Sequence, residues 1–199
     1  MDDNKTIDQH WYAYKIYHNK IRDIKEQAEK NGLRYYMPMR TVLKTEAYNV
    51  PVEEAYEDEP IIPSLIFIRS NEEYVQSIRR DPNSHVRVYC YPGTTDPSII
   101  PDHDMDIFIF ATSTGCKTVE AINLNFTKGN RVRVTGGVLK GAEGYITRVH
   151  GTKRLVVMIE GIAAIATAFI PKHFIENLSP TSTIGDRELS NKHIGEIGP

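Results

Sequence analysis

Cysteine is nearly absent, with only Cys90 and Cys116 in 199 residues. Two are too few for a disulfide scaffold and have no metal-ligand spacing, so both are expected as reduced thiols. The seven histidines are scattered singly, with no pair at helical spacing. There is no Gly-Lys-Ser/Thr phosphate loop, no Gly-x-Ser-x-Gly elbow and no His-Glu-x-x-His pair. No catalytic residue, metal or cofactor is therefore expected. Apolar runs never approach the ~20 residues of a membrane span, and the stretch Ile162 to Ile170 is interrupted by Thr167. The start MDDNKTIDQH lacks the basic and apolar regions of a signal peptide, so a cytoplasmic location is expected.

What is present divides by charge. Residues 126–178 carry eight Lys/Arg against three Asp/Glu, leaving −7 on the rest of a chain whose net charge is −2. This basic segment reads as five short strands. They are Arg131–Thr135, Tyr145–Val149, Leu155–Ile159, Ala166–Ile170 and Phe174–Ile175, with turns at Gly136-Gly137, Gly141 to Gly144 and Gly151. Closely spaced strands of this kind predict a small closed or nearly closed β-barrel.

Upstream, residues 1–10 are polar and expected to fray. Trp11 to Tyr17 alternates as a strand, with Trp11, Ala13, Lys15 and Tyr17 on one face. A helix from about Lys20 to Lys30 carries Ile21, Ile24 and Ala28 as its apolar stripe and stops at Asn31-Gly32. Leu33 to Thr45 is extended, and Pro38 suits an edge strand or a bend. Residues 46–59 hold six acidic side chains and no basic one, a solvated hairpin tip or mobile loop. Ile61 to Ile68 is the most apolar strand and the expected centre of the sheet. Ser70-x-x-Glu73 predicts a capping box for a helix ending near Arg80. Val86 to Tyr91 follows as a strand. A third helix opens at Asp102, with Met105, Phe108 and Ile109 as its core face and Gly115 as its stop. The order predicts an α+β fold, a mixed or antiparallel sheet with helices over residues 11–111. A linker at 112–125 leads to the barrel at 126–178, and a flexible tail occupies 179–199.

Lys128, Gly129, Val132, Val134, Gly141, Gly144 and Ile146 together resemble the KOW module of the NusG transcription-factor family. The upstream half resembles that family's N-terminal domain in three places: Trp11-Tyr12, Tyr36-Met37-Pro38-Met39, and Ile62-Pro63-Ser64-Leu65-Ile66-Phe67-Ile68. Ile100-Pro101 with Asp104-Met105 is similar to the entry into that domain's last helix.

The resemblance implies a non-enzymatic regulator of transcription elongation or antitermination. Its N-terminal domain would dock on the clamp helices of RNA polymerase through an apolar hollow at Tyr17, Ile62, Leu65 and Phe67. Arg79, Arg80, His85 and Arg87 lie near where the family approaches non-template DNA. Ile162 stands in the KOW segment that meets a ribosomal protein or Rho. An aliphatic residue there in place of the usual aromatic argues against Rho. Ser64 and Leu65 replace the family's Gly-Tyr, and Lys15 replaces an aromatic of one specialised member. With the acidic 46–59 stretch, these departures point to a specialised paralogue of the RfaH-like or UpxY-like kind, the latter serving capsular polysaccharide operons. The alternative is a ribosome- or RNA-binding KOW protein using Arg131, Arg133, Arg148, Lys153 and Arg154.

Overall fold

The computed structural model describes residues 8–17, 20–44, 51, 56–81, 84–113 and 119–178. The expected frayed start before residue 8, the centre of the acidic stretch, Gly115 with Cys116, and the tail beyond 178 lie outside these residues.

The first half runs β1 (His10–Ile16), α1 (Ile21–Lys30), β2 (Arg34–Tyr36), β3 (Met39–Leu43), β4 (Tyr56–Pro60), β5 (Leu65–Ser70), α2 (Glu72–Arg80), β6 (Val86–Val88) and α3 (Asp102–Ser113). Four strands form one sheet in the order β2-β5-β1-β6, antiparallel at every rung. β5 is central, as its unbroken apolar character predicts. Alternation sorts its two faces. Tyr12, Tyr14 and Ile16 join Ile66 and Ile68 under α1 and α2, against Ile24, Ala28, Tyr74, Val75 and Ile78. Trp11 and Ala13 join Leu65 and Phe67 beneath α3, whose Met105, Phe108 and Ala111 are fully buried. The phenol of Tyr36 on β2 meets the Thr112 hydroxyl at 2.5 Å, tying the sheet edge to the end of α3.

Three local expectations change. Leu33 to Thr45 is two strands, not one. The backbone turns at Met37-Pro38, and β3 leaves the sheet to pair with β4 as a separate ribbon, joined by Arg40 and Glu59. Glu57, Asp58 and Glu59 of the acidic stretch are therefore strand residues. The cap of α2 is Asn71, whose side chain accepts from the Tyr74 N–H at 3.0 Å. Ser70 is unavailable for that role because it is wholly buried at the end of β5, 3.5 Å from the Tyr14 hydroxyl. On α3, Ile109 is only half-buried, and Ala111 and Thr112 complete the core face.

The second half contains β7 (Glu120–Ala121), β8 (Arg131–Val134), β9 (Glu143–Val149), β10 (Thr152–Ile159), β11 (Ala163–Phe169) and β12 (Ile175–Asn177). They pair antiparallel in the order β12-β8-β9-β10-β11-β7. The expected linker at 112–125 thus begins inside α3 and contributes β7 to this sheet. β12 and β7 do not pair among the described residues, so the sheet is nearly closed. Val132, Val134, Leu155, Val157 and Ile165 fill its concave face. Val156, Ala164 and Ala166 on the outer face are covered by Ile122 and Phe126.

The two halves share one core. α3 is apolar around its circumference rather than along one stripe, the pattern of a helix buried on two sides. It packs on β1 with one side and on β10 with another. Buried residues from both halves accordingly form a single cluster. Among the described residues no helix is long and apolar enough to cross a membrane.

Candidate functional site

Ser64 sets the entry to β5. Its φ is 64°, and its carbonyl accepts the Ile16 N–H at 2.8 Å, closing the end of β1 against the turn. A left-handed backbone costs a residue with a Cβ about 1–2 kcal/mol. Glycine removes that cost but adds about 0.5–1 kcal/mol of chain entropy on folding. Ser64→Gly should therefore stabilise the protein by roughly 0.5–1 kcal/mol on balance. A chemical denaturation midpoint that does not rise would refute this account of the turn.

Just beyond this turn, the α3-facing side of the sheet emerges from under the helix. Lys15 lies opposite both Leu65 on β5 and Arg87 on β6. Tyr17 continues the same face, and its N–H donates to the His85 carbonyl at 2.9 Å. The Lys15 ammonium stands 5.5 Å and the Arg87 guanidinium 5.9 Å from the centre of the Tyr17 ring, within cation–π range. Tyr17, Ile78, Arg79, Asp81, His85 and Arg87 line a cleft of about 490 Å³. Arg79 also sits in the last turn of α2, where the helix dipole favours a cation. Arg80, its neighbour, is exposed but is not part of the lining.

The structure therefore groups the expected residues differently from the sequence. Tyr17 belongs with Arg79, His85 and Arg87, in a basic cleft with one aromatic wall. Leu65 and Phe67 are 2% and 0% exposed and lie in the core beneath α3. Ile62, partly buried, packs at the margin of that core. Ile162, expected as an exposed anchor, is only 8% exposed, because the cluster shared by both halves encloses it. Lys15 was legible as a charged rim, but its stacking on Tyr17 depends on the strand continuing past Ile16. Among the described residues, no three His, Cys, Asp or Glu side chains stand together as metal ligands.

Residues 9–109 match the family described as "Transcription termination factor nusG". The chain is 25% identical over 187 residues to the transcription termination/antitermination protein NusG of Lactococcus lactis, spanning 89% of this chain and 99% of that protein. Among solved structures it is similar to Thermotoga maritima NusG, in a study of domain interaction, at 15% identity and a TM-score of 0.44, covering 86% and 98% of the two chains. It is also similar to the MjSpt4:Spt5 complex at 16% identity and a TM-score of 0.24, with 84% and 96% covered. The family match takes in more than half of the chain, in the half that carries the sheet, all three helices and the basic cleft. The chain belongs to the NusG family, a family of transcription factors and not of enzymes.

Proposed function

We propose that this protein regulates elongation by docking its N-terminal half on the clamp helices of RNA polymerase and reducing pausing or termination. The observation that carries this reading is the sheet margin where Tyr17 and Ile62 remain partly open beside an otherwise closed apolar face. A partner helix gains affinity by burying such aromatic and aliphatic anchors. Leu65 and Phe67 shape this margin from beneath. Arg79, Arg80, His85 and Arg87 are then the residues for non-template DNA, held to phosphate by charge. Ile162 is the contact for a ribosomal protein when the C-terminal sheet is released from α3. Ser64, Leu65 and Lys15, with the acidic stretch, support a specialised regulator of the UpxY-like or RfaH-like kind. It would act in the cytoplasm on a polysaccharide operon.

Burial decides the choice of test. An aspartate at Leu65 or Phe67 would place a carboxylate in the core and unfold the protein. Tyr17→Ala combined with Ile62→Asp alters the margin instead. Full-length protein should retain core RNA polymerase in a pull-down and shorten pauses in vitro on the neighbouring operon. The double variant should lose retention at least tenfold while melting as a folded protein. A folded double variant that still binds polymerase normally would remove this surface from the proposal.

A further inference from the structure

The basic charge of the C-terminal half is not distributed as its sequence implies. Arg131 and Arg133 are both neutralised by Glu143, Arg154 by Glu120, and Lys128 by Glu160. Three of the five cations that the sequence offers to RNA are thereby engaged. Arg148, Lys153 and Lys172 make no ion pair among the described residues, and all three line one cleft of about 1230 Å³.

That cleft is the mouth of the curled sheet. Its floor is Val132, Ile146, Ile170 and Ile175, and its lining contains no acidic side chain. Arg148 and Lys153 face each other directly across β9 and β10. They continue the concave face of Ile146 and Leu155, two residues further along each strand. Like charges at directly opposed positions destabilise a ladder. No acidic partner in the structure offsets this repulsion, whereas a bound polyanion would. Phe169 is 59% exposed at the same mouth, although a strand residue of its size could have been buried. His173 stacks on Phe174 4.2 Å away, adding a second planar group at the rim. Asn130 and Asn177 supply amides.

We propose that this mouth is a binding site for single-stranded RNA, separate from the basic cleft of the N-terminal half. Arg148, Lys153 and Lys172 take successive phosphates, and a base stacks on Phe169. Unpaired cations, an open aromatic face and amides without a carboxylate are the combination that holds single strands with little sequence preference. An acidic peptide would satisfy the cations but not the stacking surface.

The test uses the full chain and a labelled 12-nucleotide mixed-sequence oligoribonucleotide, followed by fluorescence anisotropy from low to moderate salt. Three phosphate contacts predict a log–log salt slope of about −2. Arg148→Glu with Lys153→Glu should weaken binding at least tenfold and flatten the slope. Phe169→Ala should weaken it about 5- to 100-fold without flattening it. Phe169 is exposed, so this variant should melt with the parent and separates lost stacking from lost folding. Arg133→Gln, whose charge is already paired, should change little. All these variants should still be retained by polymerase, which keeps this result independent of the proposed docking margin. The proposal is overturned if RNA does not bind, or if loss of binding follows Arg79→Glu with Arg87→Glu instead. Equal competition by oligoglutamate would also overturn it, by identifying an acidic protein as the ligand.

Discussion

Replacing Phe67 by alanine should destabilise the protein by about 3–5 kcal/mol, the range for deleting a buried phenyl ring. Phe67 is fully buried on the central strand of the first sheet. Its ring meets Phe108 of α3 edge-on, with centroids 5.4 Å apart. Such a pair contributes about 0.5–1.5 kcal/mol beyond area burial. Its neighbours come from β1, β5 and α3, whose backbones are fixed by pairing and helix bonds, so the cavity has little freedom to collapse. Domains of this size have perhaps 5–15 kcal/mol in total, so the variant would be close to unfolding. Urea denaturation followed by circular dichroism measures the loss. A change below about 1 kcal/mol would mean that α3 does not seal this face as described.

Gly129→Ala should cost roughly 3 kcal/mol, the upper end for overpacking, through a different cause. A Cβ at Gly129 would overlap the carbonyl oxygen of Ile146. A backbone oxygen cannot rotate away as a side chain can. The next residue, Asn130, accepts the Ile146 N–H at 3.0 Å, so any shift also loses that bond. Amide hydrogen exchange should therefore accelerate first in β8 and β9. Unchanged exchange there, with an unchanged melting temperature, would contradict the close approach. Gly144 is restricted in the same way by the Val156 carbonyl, whereas Gly141 is required for its φ of 95°.

These glycines show what was legible. Gly129, Gly141 and Gly144 marked the second half through their spacing, and the structure supplies a separate physical reason for each. The central position of β5 followed from an apolar run with no polar interruption. The sides of Trp11 and Tyr12 followed from strict alternation. The cap of α2 was misread because Ser70 and Asn71 both suit a cap, and only burial assigns Ser70 to the strand. The ribbon of β3 and β4 was hidden because charged residues seldom announce a strand. The burial of Ile162 was not legible at all. It depends on contact between distant parts of the chain, and α3 hints at this only by being apolar on too many sides. The division of the basic residues into paired and unpaired was equally invisible, since Glu120 reaches Arg154 across 34 positions.

The shared core also links events at the two ends of the protein. A partner that takes Ile162 must first separate the C-terminal sheet from α3, so its apparent affinity is scaled by the fraction of molecules already open. A partner for the uncovered side of α3 would be scaled by the same fraction. Whichever binds first removes that penalty for the second. Two partners that never touch would then bind cooperatively, with the strength of their coupling set by the packing between α3 and β10.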